Sequence, residues 1–194
     1  MNFPLQLRFK TFAIAPQIVV TDATGALVLY VRQKAFKLKE AVYVYADAAK
    51  TRLLYTIAAD RAWDFNAQYH VTDTQGARLG SVRRRGMRSL WRAYYEIERE
   101  GRVVFSIREE KPLTKVLDAS FGQIPVLGLL AAYLFHPAYL VSPEGNPALL
   151  RLQKQPALME SRYQIQALAA VEDAQTELAV LGLIVMVLLE RQRG

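Results

Sequence analysis

The sequence has no cysteine and only two histidines. The first absence removes disulfide frameworks, thiolate metal sites and cysteine nucleophiles together, and it is compatible with a reducing interior. The second leaves little for imidazole chemistry. His70 sits in a strand-like run and His136 beside Pro137 in an apolar one, so neither a histidine metal site nor a catalytic triad is expected. No Gly-x-Ser-x-Gly, P-loop or dinucleotide fingerprint occurs, and Gly76-Ala-Arg-Leu-Gly80 lies in a strand pattern with no helix after it. The opening Met1-Asn-Phe-Pro-Leu-Gln-Leu-Arg8 lacks the basic start and apolar run of a secretory signal. These absences predict a cytoplasmic protein, peripheral where it meets a membrane, with no catalytic residues, no metal and no cofactor.

What is present is apolar, basic and rich in tyrosine. Hydrophobic residues make up 52% of the 194 positions, charged residues 22%, and there are 10 tyrosines, which argues against disorder and for one folded domain over 1–194. A formal charge of +7 suits nucleic acid, anionic lipid or an acidic protein as partner, and equally suits an ordinary solvated surface.

A unit recurs four times: an alternating β-rich run, a polar turn ending in glycine, then a second alternating run. Ile18-Val-Val-Thr-Asp22-Ala-Thr-Gly25 leads into Ala26 to Arg32, and Tyr69-His-Val-Thr-Asp73-Thr-Gln-Gly76 into Ala77 to Val82. Both turns read Thr-Asp-x-x-Gly. Aspartate at the first turn position can bond its own downstream backbone, and glycine at the fourth can take the positive φ that closes a tight hairpin. That role accounts for Asp22 and Asp73 without invoking paired catalytic acids. The other two units run from Tyr94 through Gly101 to Ile107 and from Tyr139 through Gly145 to Leu152. Further alternating runs near Leu5 to Phe12, Ala41 to Tyr45, Leu53 to Ala59 and Tyr163 to Leu168 bring the tally to about a dozen short antiparallel strands, as in barrels and sandwiches.

Two apolar segments interrupt this pattern. The run Ile124 to Val141 contains Pro125, Gly128, His136 and Pro137 and merges with the fourth hairpin, so a buried or surface-lying helical insertion over about 112–137 is expected in preference to a membrane span. The second, within about 173–191, is apolar on every side from Leu178 to Leu189, and a helix of that kind must be surrounded by apolar surface. Its apolar stretch is about 18 Å long, the height of a barrel made from seven-residue strands tilted near 40°. Glu172, Asp173 and Glu177 gather at its start, Arg191 and Arg193 follow its end, and Ala179 and Gly182 would allow close approach of strands. The expected fold is a mainly β, antiparallel barrel of about twelve strands enclosing this C-terminal helix.

The text Ile18-Val-Val-Thr-Asp22-Ala-Thr-Gly25, then Leu27-x-Leu-x-Val31-Arg32, Ala35-Phe-Lys-Leu38 and the terminal apolar helix resembles the LURP-one-related proteins, relatives of the tubby C-terminal domain and the phospholipid scramblases. The resemblance covers about 17–60 and 162–190, and the middle matches in hairpin style only. It implies a twelve-stranded barrel with a hydrophobic helix through its centre. For function it implies phosphoinositide or membrane binding, as in tubby-like members, or lipid movement and calcium response, as in scramblases. The stretch from Gln164 to Gln175 departs from the scramblase calcium segment in offering only Glu172 and Asp173, and residues 112–137 depart from the family pattern as an insertion.

One feature of the residues themselves points toward anionic lipid. Arg83, Arg84, Arg85, Arg88 and Arg92 fall within ten positions, with Trp91 and Tyr94 close by and no acid until Glu96. Guanidinium groups suit phosphate oxygens, and interfacial Trp and Tyr suit the headgroup layer. Lys34, Lys37 and Lys39 add a second basic stretch. The expectation is a non-enzymatic binding or scaffold protein at anionic membrane surfaces. Two alternatives stand beside it. One is a nucleic-acid-binding barrel using the same arginines, which calls for aromatic residues in register on an exposed strand face, with Trp91 and Tyr95 as a weak version. The other is a protein-interaction domain docking through residues 124–137. A charged edge that merely resists aggregation would show the same arginines.

Overall fold

In a computed structural model of the chain, the structure describes residues 1–10, 15–34, 41–61, 67–85, 94–110, 137–157, 160–170 and 173–191. Twelve strands alternate along these residues: β1 (Leu5–Phe9), β2 (Gln17–Thr21), β3 (Leu27–Gln33), β4 (Ala41–Tyr45), β5 (Leu53–Ala59), β6 (Gln68–Asp73), β7 (Arg78–Arg84), β8 (Tyr94–Arg99), β9 (Arg102–Glu109), β10 (Ala138–Pro143), β11 (Leu150–Gln155) and β12 (Arg162–Ala167). Every strand pairs antiparallel with its chain neighbours, and β1 closes on β12 with Leu5 opposite Ile165, so the sheet is a closed barrel with no free edge. One helix, α1 (Asp173–Arg191), follows.

The turns form for the reasons their residues predict. Asp22 Oδ1 accepts the Thr24 N–H at 2.9 Å and the Ala26 N–H at 3.1 Å, and Gly25 takes φ +83°. Asp73 Oδ1 repeats the arrangement with Gln75 and Ala77 at 2.9 and 2.8 Å, before Gly76 at φ +84°. Between β8 and β9 both central residues are left-handed, Glu100 at φ 53° and Gly101 at 76°, as a two-residue hairpin turn matched to strand twist requires.

Alternation then sorts each strand into a lumen face and a wall face. Leu5, Leu7, Ile18, Val20, Val31, Val44, Ile57, Val71, Val82, Ile97, Ile107, Val141, Leu150, Leu152 and Ile165 point inward and are buried. They surround α1, in which every residue from Leu178 to Leu188 is also buried, so the helix that is apolar on all sides is covered on all sides. The expectation of a central helix holds. Contact is closest along β7 and β8, where glycines face the seam. A Cβ on Gly182 would lie 2.3 Å from Ile97 Cδ1, and one on Gly80 would lie 2.7 Å from the Glu98 carbonyl oxygen and 3.0 Å from Leu178 Cδ1. Ala179, the second small residue of the helix, is likewise fully buried.

The apolar run ending at Val141 finishes as strand, since Ala138–Val141 belong to β10 and pair with β9 and β11. Residues 111–136, where the helical insertion is expected, lie outside the described residues. No helix among the described residues is long and apolar enough to cross a membrane.

Candidate functional site

Antiparallel order gives the barrel two chemically different rims. Strands β1, β3, β5, β7, β9 and β11 finish at the end where α1 also finishes: Arg84, the last residue of β7, has Nη2 3.9 Å from Glu190 Oε1, and the Arg191 guanidinium lies 4.4 Å from the ring centroid of Phe9, the last residue of β1. The five tight turns, carrying Asp22, Asp47, Asp73, Glu100 and Glu144, lie at the opposite rim, where Glu177 in the first turns of α1 accepts a hydrogen bond from the Tyr55 hydroxyl at 2.5 Å. Asp22, Asp47 and Asp73 are occupied by their own turns. Bonds from the Thr24 hydroxyl and from the Thr24 and Ala26 N–H groups hold the Asp22 carboxyl below the usual range, and the Thr51 and Arg52 N–H groups do the same for Asp47.

The longer connections leave from the rim where the helix ends, and the basic stretches belong to them. The three consecutive arginines Arg83, Arg84 and Arg85 do not make one solvent-facing patch. Strand parity continues through all three: Gly80 and Val82 point into the lumen, so Arg84 does too, with 9% of its surface exposed. Its guanidinium lies 5.9 Å from the Tyr95 ring centroid. Arg83 and Arg85 point out, but into a ladder of acids across the sheet. Register sets Arg83 opposite Glu96 and Ser81 opposite Glu98. Arg83 Nη2 donates to Glu98 Oε1 at 2.6 Å and lies 3.6 Å from Glu96 Oε2; Arg85 Nε donates to Glu96 Oε2 at 2.7 Å. Gln68 Nε2 completes the ladder with bonds to Ser81 Oγ at 2.7 Å and Glu98 Oε2 at 2.8 Å. Glu96 and Glu98 were missed as partners because they lie more than ten residues away in sequence, although Glu96-Ile97-Glu98 alternates in phase with Arg83 and Arg85.

Lys34 lies at the same rim, its Nζ 5.7 Å from the Tyr43 ring centroid. Arg88, Trp91, Arg92, Lys37 and Lys39 lie outside the described residues. Trp91 therefore has no described position, and Tyr95, its suggested stacking companion, is fully buried inside the barrel. Aromatic residues do stand in register on the outer wall, elsewhere: Tyr30 pairs with Tyr45, and Arg32 with Tyr43.

Inside this rim the polar groups serve the helix end. The Tyr95 hydroxyl donates to Glu190 Oε1. Burial, then the bond to Glu190 and its charge, push the Tyr95 hydroxyl well above the ordinary tyrosine range. Burial likewise raises Tyr139, helped by the charges of Glu190 and Glu109, and it raises Tyr163 against the opposing charge of Arg191. His70 stands on the wall of β6, its pKa lowered by burial and by the charge of Arg78. Among the described residues no group of three or more His, Asp or Glu side chains is placed to share a metal ion.

The description of the LURP-one-related family matches residues 27–128, just over half of the chain and including the β3 to β9 walls described above. The chain belongs to the LURP-one-related family. The match continues through the middle of the barrel, where resemblance had rested on hairpin style alone, and it takes in residues 112–128, the first part of the segment read as an insertion. The LURP-one-related region thus supplies both basic stretches, while the helix that fills the lumen lies beyond its matched end. No curated protein and no solved structure matches the chain.

Proposed function

We propose that this LURP-one-related barrel is a non-enzymatic binding domain that docks end-on against anionic phospholipid surfaces, using the rim where α1 ends. One observation carries the reading: strand alternation brings Lys34 and Arg85, remote in sequence, to the same rim, while the turns of Asp22, Asp47 and Asp73 sit at the other. β3 and β7 are four strands apart, so Lys34 and Arg85 stand roughly 19 Å apart along that rim. Residues 35–40 leave beside Lys34 and residues 86–93 leave beside Arg85, and these segments carry Lys37, Lys39, Arg88, Trp91 and Arg92. Basic groups gathered at one rim suit a charged headgroup layer. The superfamily resemblance, with its membrane-binding tubby-like members, favours the same ligand class and a non-catalytic role.

The test is vesicle co-sedimentation of the full chain with Lys34→Gln and Arg85→Gln combined, since neither side chain fills the lumen. Each basic residue near an anionic surface contributes about 1 kcal/mol, so the pair should weaken binding to phosphatidylserine vesicles roughly thirtyfold without creating any affinity for phosphatidylcholine. Indifference of the unmutated protein to anionic vesicles at low salt would remove the proposal.

A further inference from the structure

Charge is distributed unevenly around the wall as well as between the rims. The strands β1 to β5 contain no aspartate or glutamate, whereas β6, β8 and β9 each contain at least one. The outer face of β3 and β4 carries Arg32, exposed and with no ion-pair partner among the described residues, together with Lys34 at its edge and Tyr43 and Tyr45 beside them. The tyrosines are half-buried, two residues apart on one strand, with ring centroids 6.5 Å apart and planes tilted by 34°. The rise of the strand sets the spacing of the two side chains' attachment points. Beside Tyr45, on the same face, Tyr30 is held by its hydroxyl bond to Gln17 Oε1 at 2.5 Å.

A half-buried pair of rings on one strand face, flanked by cations and with no acid on β3 or β4 themselves, has the composition that binds successive bases by stacking and the backbone by charge. A neutral sugar would leave Arg32 and Lys34 unmatched, and an apolar peptide would have to desolvate them. The wall also faces sideways from a membrane held at the rim. We infer that the outer face of β3 and β4 binds single-stranded nucleic acid, with bases stacked on Tyr43 and Tyr45 and phosphates at Arg32 and Lys34. This inference is independent of the end-on membrane reading and shares only Lys34 with it.

The experiment is fluorescence anisotropy of the full chain with labelled oligothymidylate and oligouridylate at low salt. Tyr43→Ala and Tyr45→Ala should each weaken binding about tenfold, while Tyr43→Phe should bind as the parent does. Arg32→Gln should reduce the slope of log affinity against log salt by roughly 0.7. Thermal melts of each variant separate lost binding from lost fold, and Arg32→Gln, at an exposed side chain, keeps the test open should an alanine variant unfold. No binding at low salt overturns the inference. So does binding that folded tyrosine variants leave unchanged, or capture of anionic vesicles without any oligonucleotide. Arg85→Gln alone, at a residue the β3–β4 face does not use, should weaken vesicle binding and leave oligonucleotide binding intact, which separates the two faces.

Discussion

Tyr95, at the start of β8, donates its buried hydroxyl to Glu190, ninety-five residues later at the end of α1. A carboxylate at a helix C-terminus meets the unfavourable end of the dipole; here the hydroxyl and the nearby Arg84 guanidinium offset that cost and fix the helix end in the rim. Tyr95→Phe should destabilise the protein by about 1–2 kcal/mol, and Glu190→Leu by roughly 2–3 kcal/mol because it leaves a buried hydroxyl without this acceptor. The double variant should cost less than the two combined. Denaturant midpoints of the four proteins measure the coupling, and strict additivity would deny it.

The same tyrosines set an alkaline limit. The folded-state pKa values of Tyr55, Tyr95, Tyr139 and Tyr163 are all raised, burial being the largest cause in each. Their contribution is therefore complete below the unfolded tyrosine value near 10 and is lost as pH climbs from there toward the higher folded values. Stability should hold through neutrality and fall beyond about pH 10, with a shallower fall in Tyr95→Phe. Tyrosinate absorbance should show these four residues ionising late in an alkaline titration or only on unfolding. Uniform titration of all 10 tyrosines in the folded protein would contradict the assignment.

Two glycines at the helix seam should respond differently to a methyl group. At Gly182 the obstacle is the far end of the Ile97 side chain, which can rotate, and alanine is favoured in a helix by about 1 kcal/mol. At Gly80 the obstacle is the backbone carbonyl of Glu98, which cannot move without disturbing the β7–β8 ladder, and a cost of about 1–3 kcal/mol or more follows. Gly80→Ala should thus lower the unfolding midpoint more than Gly182→Ala. The reverse order would mean that the helix and β8 are packed more rigidly than β7 and β8.

Val185 is 2% exposed in the middle of α1. Val185→Asp places a carboxyl in the lumen and should cost several kcal/mol, comparable to the whole stability of an ordinary domain. Circular dichroism should report loss of the cooperative transition. A variant that melts like the parent would refute the helix-filled barrel.

Much of this architecture was legible because local chemistry decides it. The Thr-Asp-x-x-Gly turns close by bonds within five residues, and α1 announces its surroundings by having no polar face between Leu178 and Leu189. The basic cluster was harder because its surroundings are cross-strand. Arg83-Arg84-Arg85 looks like one positive patch along the chain, yet parity sends Arg84 inward and register sets Glu96 against Arg83. The alternation of Gly80, Val82 and Arg84 carried the first fact. The second needed the β7–β8 register, which no local motif specifies. Likewise Val42-Tyr43-Val44-Tyr45 already displays two tyrosines on one face, but their companionship with Arg32 appears only when β3 and β4 are paired.

The filling of the barrel follows all twelve strands in the chain, and the closing pair joins Leu5 to Ile165. During synthesis, at about 5–20 residues per second, β1 therefore waits roughly 8 to 32 s for its partner. Through that interval the inward faces of the strands have no helix to cover them. Hairpin by hairpin the wall can assemble from near neighbours, but its closure is among the longest-range contacts the chain can make. Ribosome-bound or prematurely ended chains lacking α1 should consequently expose a continuous apolar trough and depend on chaperones, whereas the finished chain hides that surface in a single late event.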